Sequence, residues 1–172
     1  MMKYIIFVLL IFFVTIPTLK ADVKKWQLEQ VGFLNIDRNE KDYGGFSGLV
    51  ISNEGTEALV VTDKSFFFVL ELRRDENDIL TGYSVIRKGR ILSSKGEHLN
   101  GRNTDSESIV IDENNNYYIS FESNHRIMMH SEVGGKGVFV PKHPMFRKLS
   151  VNKGLEALAI DADNRLIAIP EK

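Results

Sequence analysis

The sequence predicts an all-β protein, a partial β-propeller of about two and a half four-stranded blades. Helical periodicity is nearly absent beyond the first two dozen residues, and short β-branched and aromatic runs alternate with Gly, Asn and Asp turns instead. Three stretches, "SGLVISNEGTEALVVTDK", "ESIVIDENNNYYISFESN" and "KGLEALAIDADNRLIAIPEK", are rough copies of one another, spaced about 50 to 60 residues apart. Further strand-like runs follow the first copy and the second, so a full repeat carries four strands, the content of one propeller blade.

The first blade is expected to hold a strand at 48–52, a turn at 53–56, and strands at 57–62, 66–73 and 83–92, with a polar turn at 75–78. The run "FFFVLEL" from Phe66 has no polar alternation, which reads as a strand packed on both faces. In the second blade strands are expected at 108–112, 117–121, 126–130 and 137–140, with a turn at 113–116. In the third, 157–161 and 165–169 flank a turn at 162–164. Known propellers use about four to eight blades, so the sequence reads as an incomplete one. If the half-ring is real, self-association is expected to cover its exposed blade face and strand edges. The competing architecture is a small complete sandwich whose strands merely resemble one another.

Met1-Met2-Lys3, the apolar run 4–16 and the segment 17–21 read as a secretory signal, residues 1–21, cleaved near Ala21. The run is short for a bilayer span, although Leu19 is a poor match for a small-residue cleavage site and an uncleaved anchor is the alternative. Residues 22–43 form a lead-in, and 44–172 the propeller domain. The expected location is therefore periplasmic or secreted, with no stable membrane span after cleavage. Loss of Lys3 and Lys20 leaves 20 basic against 23 acidic side chains, and the absence of a Lys/Arg run argues against a nucleic-acid partner. With no cysteine, disulfides, thiol catalysis and zinc-thiolate sites are excluded.

Aligning the copies places Ser47, Glu107 and Glu156 in one column and Asp63, Glu122 and Glu171 in another. In an antiparallel hairpin the start of one strand and the end of the next share one end, so the two columns meet there. Carboxylates converging from several blades repel one another unless a cation, a proton or an arginine compensates them. A hard metal with oxygen ligands, Ca2+ or another divalent cation, is the natural occupant. Asp63, Glu107, Glu122, Glu156 and Glu171 are the candidate ligands, and Glu107 and Glu156 are also the candidate catalytic groups. Arg102 and Arg126 flank the acids and are candidates for binding an anionic substrate group. The competing view is that each acid caps a turn or bonds a backbone amide.

"GGFSGL" is not a nucleophile elbow: Leu49 stands where the second glycine is required, and no helix follows. His98, His125, His130 and His143 show no metal-ligand spacing, though His125 lies near Glu122 and is a candidate ligand contact.

Four segments together resemble the phytase-like family described as "esterase-like activity of phytase". They are "GGFSGL" at 44–49, Asp105-Ser106-Glu107, Phe121-Glu122-Ser123, and 152–158, which fits N-x-G-[FL]-E-[GA]-L. The resemblance spans 44–171 and corresponds to about the first half of a family domain. It departs at the second motif, where the family's Asp-Pro-Glu-Gly has Ser106 for Pro and Ser108 for Gly, which implies a looser turn. What the family implies is an exported β-propeller that hydrolyses ester or phosphoester bonds of a small molecule. The partial ring is expected to be inactive by itself. The alternative expectation is a non-catalytic exported binding platform.

Overall fold

The computed structural model describes residues 27–36, 42–52 and 54–171. The expected signal, residues 22–26 and 37–41 of the lead-in, and Asn53 of the first hairpin turn lie outside the described residues. All strands belong to the compact unit Val31–Lys172; of the unit Met1–Gln30, the described residues 27–30 carry no helix or strand.

Among the described residues the fold is all-β, with three antiparallel sheets of four, four and two strands. The first is β1 (Phe46–Ile51), β2 (Glu57–Thr62), β3 (Phe66–Arg74) and β4 (Leu80–Arg90). The second is β5 (Ser106–Ile111), β6 (Tyr117–Phe121), β7 (Arg126–His130) and β8 (Gly137–Phe139). The third is β9 (Leu155–Ile160) and β10 (Leu166–Pro170). In each sheet the strands follow chain order, so every connection is a hairpin. Short 3-10 turns at Gly101–Asn103 and Pro144–Lys148 are the helical elements among the described residues.

The repeated turns have a repeated cause. Asp112 Oδ1 accepts hydrogen bonds from the Asn114 and Asn116 amides at 2.9 and 2.8 Å, and Asp161 Oδ1 accepts from those of Asp163 and Arg165 at 3.0 and 2.9 Å. Each aspartate thus fastens its own hairpin, and Asn115 and Asn164 take the left-handed conformation that asparagine tolerates, at φ 61° and 60°. This chemistry makes the β5–β6 and β9–β10 hairpins copies of each other.

The first strands β1, β5 and β9 are neighbours across the sheets. A Cβ on Gly48 would lie 2.9 Å from the Ile109 amide nitrogen, so glycine is what lets β1 and β5 approach this closely. The Ser108 hydroxyl accepts from the Leu158 amide at 3.1 Å, joining β5 to β9. Between the first two sheets, Val61, Phe67 and Val69 pack against Ile109, Ile119, Phe121 and Met128. Burying each such side chain stabilises by about 1.5–3 kcal/mol. Phe68 and Leu70 point to the opposite face of the first sheet, where Tyr43, Ala58 and Val60 meet them. The apolar run of β3 is therefore packed on both faces, as expected from its missing alternation.

Candidate functional site

The site is built at the end of the sheets where the first strand of each starts and the second finishes. In all three sheets the ladder slips there by one residue. Phe46 pairs with Thr62 but Gly48 with Val61; Ser106 pairs with Phe121 but Ser108 with Ser120; Leu155 pairs with Pro170 but Ala157 with Ile169. The extra residues are Ser47, Glu107 and Glu156, each the unpaired member of a β-bulge, the device that re-aims a side chain at the end of a strand. Directly after β2, β6 and β10 come Asp63, Glu122 and Glu171. Their amides donate to the carbonyls of Gly45, Asp105 and Gly154 at 2.9, 2.8 and 3.0 Å. One backbone bond thus sets the bulged residue beside the acid that follows the second strand, three times over.

Two carboxylate groups result. Asp105, Glu107 and Glu122 offer oxygens within 4.8 Å of one another, and so do Glu122, Glu156 and Glu171. Glu122 belongs to both and spans the second and third sheets. Its Oε1 accepts from the Gly154 amide at 2.9 Å, and a Cβ on Gly154 would fall 2.5 Å from Glu122 Cγ, so glycine makes room for the shared carboxylate. Asp105 is steadied by the Ser123 hydroxyl, which donates to Oδ2 at 3.0 Å from a left-handed residue at φ 51°.

Crowding of like charges shows in the protonation equilibria. Partial burial, followed by the charges of Glu156, Asp105 and Glu122 and a hydrogen bond with Asp105, pushes the Glu107 carboxyl up to about 7. Glu156 is also raised, by desolvation first and then by Glu122, Glu171 and Asp105. Oxygen-only donors at this density suit a hard cation such as Ca2+, which takes six to eight oxygens from carboxylates, carbonyls and water.

The other expected residues are placed differently. Asp63 is exposed and stands outside both carboxylate groups, because the bulge of its own sheet holds Ser47. The Ser47 hydroxyl turns instead to the Ser106 carbonyl and ties β1 to β5. Arg102 is exposed on the 3-10 turn Gly101–Asn103. Arg126 is 2% exposed: Nη1 and Nη2 donate to the carbonyls of Asn124 and Asn103 at 3.1 and 2.6 Å, and the guanidinium lies 3.9 Å from the centroid of the Phe121 ring. His125 is buried, with Nε2 3.0 Å from the Ser150 carbonyl oxygen. Asp105 is the member of these carboxylate groups that sequence reasoning did not count among its candidate ligands. Its counterparts in the other two sheets are Gly45 and Gly154, so no repeated acid marks its column.

No curated protein matches the chain. The model of the family described as "Phytase-like: Esterase-like activity of phytase" matches residues 41–172. With every described strand inside that match, the chain belongs to the phytase-like family.

Proposed function

We propose that the three sheets are successive blades of an exported β-propeller and that the carboxylate cluster at their strand ends holds a divalent cation, with Ca2+ the best fit, for hydrolysis of ester or phosphoester bonds. The observation that carries this reading is the repeated bulge, which turns Glu107 and Glu156 toward acids that a plain ladder would hold apart. Such a cation supplies Lewis acidity and neutralises charge developing on a phosphoryl or acyl oxygen. Glu107, whose carboxyl is raised to about 7 by partial burial and its acidic neighbours in the cation-free chain, would be drawn down by a bound cation and so stand ionised at neutral pH, as a base that takes a proton from water must. Asp105, Glu122, Glu156 and Glu171 are the remaining oxygen donors, and the exposed Arg102 meets an anionic group of the substrate. Adjacent first strands and a count of four, four and two strands support the blade arrangement.

The test has two parts. Calorimetric titration of this chain with Ca2+ should show binding that Glu156→Gln weakens without altering the far-ultraviolet circular dichroism spectrum. The purified protein should hydrolyse some member of a panel of p-nitrophenyl acetate, aromatic lactones and p-nitrophenyl phosphate, with loss of turnover in EDTA. Absence of any divalent-dependent hydrolysis across the panel would remove the enzymatic reading. Ca2+ binding without turnover would leave a cation-bearing platform.

A further inference from the structure

Arg126 poses a physical question that its expected part in binding substrate leaves unanswered. A guanidinium in a protein interior is costly to desolvate, and burial draws this one down to about 10. Its guanidinium donates to two neutral backbone carbonyls rather than to carboxylates. An apolar side chain over Phe121 would avoid that cost.

What the charged group achieves is visible in where the two carbonyls sit. Asn103 lies in the loop that delivers Asp105 to β5, and Asn124 in the turn that follows Glu122 after β6. The same two loops are joined three more times: by the Glu122 amide to the Asp105 carbonyl at 2.8 Å, by Ser123 Oγ to Asp105 Oδ2 at 3.0 Å, and by Asn124 Nδ2 to Asn103 Oδ1 at 3.0 Å. Asp105 and Glu122 carry like charge and would drift apart without such ties. The guanidinium is the inner bracket. Its rigid fork reaches both carbonyls at once, which a lysine ammonium on a flexible stem does not do with comparable geometry.

We propose that Arg126 is a positioning residue for the carboxylate cluster: from the buried side it clamps the loop before β5 to the β6–β7 turn and so holds Asp105 and Glu122 at the spacing a cation requires. The inference rests on the reading of the cluster as a cation site. It predicts that Arg126 acts on the cluster without touching the bound ion, as outer partners of metal ligands do.

Tb3+, a luminescent stand-in for Ca2+, tests it on the folded chain. Wild type should bind Tb3+ with a long emission lifetime, reflecting few coordinated waters. Arg126→Met should weaken binding about tenfold or more and shorten the lifetime, and Arg126→Lys should not restore either. Arg126→Lys, which keeps the buried charge but not the fork, decides the matter if Arg126→Met does not fold; Asn124→Ala, which removes the side-chain tie to Asn103 and the acceptor of Lys142 Nζ, should produce a smaller loss in the same direction. Folded variants with wild-type affinity and lifetime would overturn the clamp while leaving the cation site standing. A wild-type protein that takes up no Tb3+ would overturn the cation site, and the clamp with it.

Discussion

Replacing Glu107 by glutamine should make the metal-free protein more stable at pH 8 and leave it nearly unchanged at pH 4. The folded-state carboxyl is raised from 4.5 to about 7. At about 1.4 kcal/mol per pKa unit, full conversion of that shift gives roughly 3.4 kcal/mol of strain on the ionised group. Glu107 is only half-buried, so solvent screening reduces the expected effect to about 1–2 kcal/mol. The sign follows from proton counting. Between pH 4.5 and about 7 the folded chain holds the Glu107 proton more tightly than the unfolded chain, so stability falls as pH rises through that window. Below it the carboxyl is protonated in both states and the penalty vanishes; above it the penalty is complete. Glutamine carries no charge and removes the penalty. Urea unfolding in EDTA should show a midpoint higher by roughly 0.5–1 M at pH 8, for a slope near 2 kcal/mol/M, and a difference close to zero at pH 4. A variant less stable than wild type at pH 8, or one whose effect is the same at both pH values, would refute the reasoning.

The other expectations concern the shared ligand, the packing and a buried imidazole. Glu122→Gln should weaken Ca2+ binding more than Glu171→Gln, because Glu122 alone belongs to both carboxylate groups; titration calorimetry of the two variants ranks them, and equal losses would count against a shared ligand. Gly48→Ala should cost about 1–3 kcal/mol in urea unfolding, since its methyl would lie 2.9 Å from the Ile109 nitrogen and push β1 away from β5. Phe121→Ala, at a fully buried position, should cost about 3–5 kcal/mol by the same measurement. His130 is 1% exposed, with Nδ1 3.1 Å from the Gly135 carbonyl oxygen, and burial lowers its pKa. Its NMR titration should therefore fall below that of a free imidazole, and this residue's contribution to stability, present above about pH 6.5, should be lost as pH falls. A midpoint at or above the free value would contradict that burial.

The repeat was legible because turn chemistry is local. Asp112 and Asp161 each bond amides two and four residues ahead, so the signal is written within a few positions of chain. The first strands were read as starting two residues late, at 48, 108 and 157 rather than at Phe46, Ser106 and Leu155, because the bulge breaks the alternation by which a strand is recognised. The glutamates of the cluster were legible as columns. Asp105 was not, since neighbouring copies hold glycine there, and its part depends on the loop ties around it. The burial of Arg126 left no such trace: Arg126, Ile127, Met128 and His130 of β7 are all buried, so the strand carries no alternation that would mark the arginine as an inward residue. A charged residue at the head of an apolar run is easily taken for a surface cation, and only the packing of Phe121 and the loop carbonyls reveals otherwise.

The residue inside each bulge is one that the strand ladder does not count. Its neighbours pair across it, so changing it leaves the register of every other residue intact. The first sheet already shows the slot filled by a neutral hydroxyl, and the second and third show it filled by carboxylates. Charge at the mouth of the sheets can therefore be added or withdrawn one repeat at a time. The scaffold separates the ladder, which sets the register, from the bulge position, whose charge can vary without shifting a strand.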